Sequence, residues 1–402
     1  MKNTKMRTTW MVLALFAIIL SSCNTTKLSE IEQASTYAAQ TLTAMPAATE
    51  KQNPTETATP EATETAVSTP EPALGPVGPT NFPEGVNPLT GERVADPALL
   101  NRRPVFVKVA NFPASGRPHA GLSAADLVFE YYIGEGTNRF MAVYYGQDSE
   151  KIGPVRSGRL IDPQLVQMYQ GILAFYSAYA PIYENIVDVL GNRAITGNGN
   201  ICPALCDDGR NIVISKFGDS AALTELSTQR GVTNQAYPLD GMAFDPTAPA
   251  GGAAGLDAMV IYSNLDRGEW SFDEASGKYL RLIEDTTGSN LVMIPLLDAN
   301  TGEQLAFSNV VILFAYHTEY ATTMYDQTIW GNTSGQRAVI FRDGNAYEAT
   351  WVVPNNTQPI QLRDQNGNTF PLKPGNTWYV VMGLNSGVKE DAGNWTFNFY
   401  LP

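Results

Sequence analysis

The sequence predicts an α/β (or α+β) N-terminal domain followed by a mostly antiparallel, β-rich C-terminal domain, both carried on a disordered N-terminal tether. Three observations lead there. Across 86–245, apolar runs alternate with amphipathic segments that open on Asp-Pro or Pro and stop at Gly. Alternating strands and helices point to a sheet layered with helices. Across 256–402, apolar runs are joined through Asp-Gly and Asn-Gly, the dipeptides of two-residue hairpin turns. Finally, PAATEKQNPTETATPEATETAVSTPEPALGPVGP, from Pro46 to Pro79, holds almost no large apolar side chain. Such a segment cannot bury enough surface to offset its ordering entropy.

The chain divides accordingly. Residues 1–22 read as a lipoprotein signal peptide. Lys2, Lys5 and Arg7 precede WMVLALFAIIL, an apolar run of eleven residues that is short for a membrane span. The run ends in Leu20-Ser21-Ser22-Cys23, so Cys23 is the expected lipidated first residue of the mature chain. More than one acyl chain there, palmitate among them, gives stable anchoring, at about 0.8 kcal/mol per buried CH₂. Residues 23–85 form a Thr/Pro/Glu-rich linker. A flexible segment of about 60 residues spans about 45 Å end to end, a useful reach across a cell-wall layer.

In the 86–245 domain, VFVKVA (105–110) reads as a strand. Leu127–Ile133 and Asn138–Tyr145 pair as a hairpin about Gly134-Glu135-Gly136. Asp162-Pro163 opens a helix toward Gly171, ILAFYSAYA is a buried strand, and PIYENIVDVL is a second helix stopped by Gly191. A third helix follows Asp219 or Ser220. The Pro/Gly/Ala-rich stretch near 240–256 is the boundary. Beyond it lie NVVILFAYH, the hairpin RAVIFRDGNAYEATWVV, a similar device about Asn366-Gly367, and TWYVVM.

The 402 residues carry 44% hydrophobic residues and a formal net charge of −14, or −17 once the three cations of the signal peptide are removed. That balance excludes a general nucleic-acid binder, which needs a basic face. Against this acidic background, Arg117, Arg139, Arg156 and Arg159 fall in turns or at element ends. Guanidinium forks suit carboxylates and phosphates, and loops at element ends are where α/β domains bind ligands. The alternative is internal pairing with Asp126, Glu130, Glu135 or Asp162. Glu130 and Glu135 are also candidate glycosidase acids, which require a separation of about 5–5.5 or 6.5–9.5 Å. His119 is the better placed of the two histidines as a catalytic base. His317, at the end of an apolar strand, reads as a strand-edge residue.

Cys202 and Cys206 read as a disulfide loop outside the cytoplasm. No metal site, nucleotide fingerprint or other cofactor motif appears. The aromatics Phe314, Tyr316, Tyr320, Tyr325 and Trp330 suit a β-domain core or a sugar-stacking face.

NPLTGERV (87–94), RRPVFVKVAN (102–111), GRPHAGLSAADLVFE (116–130), EGTNRFMAVY (135–144) and IGPVRSGR (152–159) follow in series. Together with GQRAVIFRDGNAYEATW and GNTFPLKPGNTWYVV, they resemble the YerB-like family of bacterial lipoproteins, over most of residues 86–385. The resemblance implies a lipid-anchored cell-envelope protein facing outside the cytoplasm, with two domains of unknown function. It implies no activity. The chain departs from the family where CPALCDDGRNIVISKF (202–217) replaces an Arg-rich, Pro-His-Asn segment.

Three roles follow as expectations. The first is a non-catalytic binder of a cell-wall component or envelope protein, held at the membrane by its lipid. The second is a hydrolase of cell-wall or surface glycan. The third is a scaffold offering a long free edge strand within 305–385.

Overall fold

Strands β1 (Val105–Ala110), β2 (Leu127–Gly134) and β3 (Thr137–Tyr144) are buried along nearly their whole length. They belong to a computed structural model that describes residues 74–197, 201–288, 291–322 and 324–401. The signal peptide, Cys23 and most of the expected tether lie outside the described residues. β2 and β3 form the predicted hairpin, with Leu127 opposite Val143, and β3 pairs antiparallel with β1. On its other side β1 runs parallel to β4 (Ile172–Phe175), itself parallel to β5 (Ala194–Thr196).

Helices α1 (Ile161–Met168) and α2 (Ala180–Leu190) pack on one face of these strands. Ile182, Ile186 and Leu190 of α2 recur every fourth residue and are buried, the spacing of an apolar helical stripe. They join Ile161, Leu165, Phe106, Phe129 and Met141 in one core. α3 (Ser220–Gln229) begins where Asp219 accepts a hydrogen bond from the Ala222 amide at 2.9 Å.

Two local expectations shift. α1 starts at Ile161, ahead of the predicted Asp162 cap, because Asp162 turns back to accept from the Arg159 amide at 2.7 Å. ILAFYSAYA is a strand only as far as Phe175, because residues 156–158 wedge in beside the segment that follows.

After 256 the chain builds a meander of β6 (Asp257–Ile261), β7 (Arg267–Asp273) and β8 (Lys278–Glu284). It then returns to the first sheet with β9 (Asn309–Ala321), β10 (Met324–Thr328), β11 (Gln336–Arg342), β12 (Asn345–Val352), β13 (Gln361–Arg363) and β14 (Thr377–Gly383). The β11–β12 turn places Asp343 and Gly344 at φ 52° and 70°, the paired positive values that make Asp-Gly a hairpin dipeptide. The run about Asn366-Gly367 pairs only briefly, through β13 and an Arg363–Thr369 bridge. A last hairpin, β15 (Gly387–Asp391) and β16 (Asn394–Asn398), joins the meander, with β16 parallel to β6.

Among the described residues, the larger sheet has twelve strands, ten along the path β13-β12-β11-β9-β14-β2-β3-β1-β4-β5 and two beside it, β10 on β9 and Ala253–Ala254 on β12, and the second sheet has seven. β14 lies parallel to both β9 and β2 and so joins the two halves of the chain. All seven of its residues are buried, as its unbroken apolar sequence demands of a central parallel strand. The second sheet covers the face opposite α1 and α2. There Val107, Val128, Phe140, Trp270, Trp378 and Phe397 share a core. Within 305–385 the path of the larger sheet ends at three-residue β13, and beyond Ala315 β9 pairs with β10.

Candidate functional site: an arginine-lined crevice

β1 and β4 pair from Val105 to Val107 and then diverge. IGPVRSGR fills the gap. The Arg156 amide donates to the Lys108 carbonyl at 2.9 Å, and the Arg156 carbonyl accepts from Tyr176 at 3.0 Å. The Gly158 amide reaches the Ser177 carbonyl at 2.7 Å. Glycine suits 158, because a Cβ there would lie 2.6 Å from Ile186 Cδ1 and 3.2 Å from Phe175 Cδ2 and would push the Ile186 side chain aside. The inserted segment therefore lies where the carboxyl ends of two parallel strands diverge, the kind of crevice where open α/β sheets bind ligands.

Four cations meet in it. Successive residues of a strand face opposite sides of the sheet, so Lys108 of β1, Tyr131 of β2 and Arg139 of β3 all project to the α1/α2 face. Arg156 and Arg159 enter from the inserted segment. Lys108 is fully buried; its Nζ meets Asp162 Oδ1 at 3.0 Å and contacts the Tyr131 hydroxyl, which also bonds Asp162. Burial, opposed by Asp162 and helped by Arg139 and Arg159, pulls the Lys108 ammonium down to about 7.

Arg139 is only 7% exposed. Its guanidinium donates to the Ser157 carbonyl at 2.6 Å, while its Nε has no partner. Arg159 donates to the Gly158 carbonyl at 2.8 Å and likewise leaves Nε unpaired. The side chain of Arg156 makes no hydrogen bond or ion pair to any described residue. Burial lowers all three guanidiniums, and their mutual repulsion lowers Arg139 and Arg159 further. Arg156, Ser157, Arg159, Tyr176 and Ser177 are partly exposed, so the crevice opens to solvent.

Arg117 is not part of this group. It pairs with Glu284 at 2.8 Å and donates to Asn111 Oδ1 at 3.1 Å. It borders a surface cleft of about 310 Å³ with Ile283, Ile294 and Leu297, but its fork is already occupied.

Glu130 projects to the opposite face from Tyr131 and is sealed between the sheets. It accepts from Asn138 Nδ2 at 2.7 Å, Trp378 Nε1 at 2.9 Å and Arg281 Nη2 at 3.3 Å. Arg281 lies 4.0 Å from the Trp270 ring centre. Asp266, pushed well up by burial and then by Glu130 and Glu284, accepts from the Asn138 amide at 2.7 Å. Glu135 is exposed in the β2–β3 turn. His119 is buried, pulled down to about 3 by desolvation and then by Arg117, and packs edge-on against Phe140. It is neutral and closed to solvent. His317 is buried with its Nδ1 3.1 Å from the Ala315 carbonyl. Phe314 is core, whereas Tyr316 and Tyr320 are 57% and 49% exposed. Cys202 and Cys206 are disulfide-bonded.

One site residue escaped the sequence reading: Lys108, although a lone lysine inside VFVKVA is a buried cation that needs a partner. Asp162, read as a helix cap or a counter-charge for arginine, pairs with Lys108 and accepts from the Arg159 amide at the start of α1.

A two-part protein, with helices and a mixed sheet in its first half and a mostly antiparallel second half, matches a known class. Residues 89–211 match the N-terminal domain, and residues 258–379 the C-terminal domain, of a family described as protein of unknown function (DUF3048). The chain belongs to this YerB-like family. It is 24% identical over 305 residues to YerB of Bacillus subtilis (strain 168), which is named as a candidate lipoprotein, covering 73% of this chain and 85% of that one. The crystal structure of YerB from Bacillus subtilis superposes with a TM-score of 0.60 at 24% identity, over 74% of this chain and 96% of the other, and so shares the fold. Among the described residues no helix is long and apolar enough to cross a membrane.

Proposed function

We propose that this is a lipid-anchored envelope protein, acylated at Cys23 and facing outside the cytoplasm, whose non-catalytic task is to hold an anionic group in the arginine crevice. One observation carries the reading. Arg139, Arg156 and Arg159 share an open crevice, and none is ion-paired. Among the described residues the one carboxylate beside them, Asp162, is committed to Lys108 and to the start of α1. A structural cluster would have matched its charges. The hydrolase alternative has less support, since Glu130 and His119 are buried and Glu135 stands on an exposed turn.

The anchor is tested by Cys23→Ser in cells. The variant is expected in the soluble fraction, and unchanged membrane retention would exclude lipidation as the anchor. The crevice is tested on the full chain in detergent, at fixed ionic strength. Replacing chloride with oxyanions is expected to raise the thermal midpoint, and an Arg156→Gln/Arg159→Gln double variant is expected to lose the rise. An equal rise in both proteins would count against the crevice.

A further inference from the structure

We infer that the crevice is built for a phosphoryl group carrying two negative charges, a phosphate monoester or inorganic phosphate by chemical class, rather than for a carboxylate. This rests on the anion-binding reading above and narrows it.

Charge gives the first reason. Wherever Lys108 keeps its proton, four cations, Lys108, Arg139, Arg156 and Arg159, face one carboxylate among the described residues, Asp162, which leaves three positive charges uncompensated. Arginine does not shed its proton in proteins, and a buried charge is costly until it is matched. A carboxylate would leave two of the three unmatched. A phosphate monoester carries about −1.5 to −2 at pH 7 and leaves roughly one, at the solvent-facing rim where Arg156 sits.

Donor geometry gives the second. A carboxylate is planar and is satisfied by one guanidinium fork gripping both oxygens. Here three guanidiniums come from separate places: Arg139 from β3, Arg156 from the inserted segment, and Arg159 from the turn before α1. The Nε of each is buried and has no hydrogen-bond partner among the described residues. A phosphoryl group offers three strong acceptor oxygens, one for each guanidinium. The hydroxyls of Ser157 and Ser177, 3.4 Å apart, belong to the inserted segment and to the strand end beside it.

Depth gives the third. Arg139, 93% buried with an unpaired Nε, lies below the partly exposed Arg156 and Arg159. The cluster therefore runs from a buried guanidinium to two that reach solvent. An arginine cluster that merely faced water would leave its deepest member exposed.

The experiment is calorimetric titration of the full chain in detergent at low salt, with inorganic phosphate and separately with acetate. Phosphate is expected to bind at least about tenfold more tightly than acetate, since charge-assisted bonds to a dianion are the stronger ones. Arg156→Gln is expected to weaken phosphate at least about tenfold, and Arg159→Gln similarly. Because Arg156 is unpaired in the fold, its variant is expected to keep the wild-type thermal midpoint. Equal binding of phosphate and acetate would overturn the phosphoryl assignment while leaving an anion site. No binding of either would overturn both readings. Phosphate binding untouched in both variants would place it elsewhere and remove the crevice.

Discussion

Two charged clusters share the same two strands and differ in one respect. On the face toward the second sheet, Arg117 and Arg281 meet Glu130, Glu284 and Asp266, and the acids equal or exceed the cations. On the face toward α1 and α2, Lys108, Arg139, Arg156 and Arg159 meet Asp162 alone. The residues alternate: Glu130 and Asn138 serve the first cluster, their neighbours Tyr131 and Arg139 the second. The pleat of one hairpin thus separates a closed network from an open one. A closed network fixes geometry. An open one, with excess charge held beside solvent, is what the proposed anion site rests on.

The closed network offers the largest effect. Glu130→Ala leaves Arg281 fully buried without its carboxylate, along with an unpaired Trp378 Nε1, while Asn138 Nδ2 keeps its bond to Asp266 Oδ1 at 3.1 Å. Breaking a buried pair from one side costs about 3–5 kcal/mol, measurable by denaturant unfolding. Phosphate binding by the folded fraction is expected to stay as in wild type, because Glu130 faces away from the crevice. A loss under about 1 kcal/mol would mean that water reaches Arg281, since exposed pairs contribute no more than that.

Local chemistry explains which parts of this were legible. The β2–β3 hairpin, the three helices and the Asp-Gly turn follow from apolar period and turn residues, and stand within a few positions of where those signals put them. What the sequence could not show is long-range partnership. Arg117 and Glu284 are 167 positions apart, and Glu130 and Arg281 are 151 apart, with no local cue to either pairing. The same holds for β14. Its apolar run marks a buried strand, yet nothing in TWYVVM says that it lies between β2 and β9. The crevice was half legible. Arginines at element ends named Arg139, Arg156 and Arg159, while Arg117, of the same type and in the same kind of place, found an acid from the other half of the chain.

The finest probe of the difference is Lys108. Its ordinary value of 10.5 falls to about 7 in the fold, so between those values the unfolded chain holds a proton that the folded chain has released. Stability therefore rises with pH across that window. Below about 7 both states are protonated and the burial penalty is paid in full. From pH 7 to 8 the expected gain is about 1 kcal/mol, given about 1.4 kcal/mol for each full proton released per unit. The charged and titrating groups facing Lys108 are Asp162 and Arg159 from the α1 side, Tyr131 from β2 and Arg139 from β3. Lys108→Met removes the titrating group, so its unfolding free energy should be flatter by that amount than wild type over the same unit. A bound dianion favours protonated Lys108 and should flatten the wild-type curve toward that of the variant. If wild type and variant keep parallel curves, or if phosphate leaves the wild-type slope unchanged, Lys108 does not sense the crevice. The four cations would then be separate neighbours rather than one site.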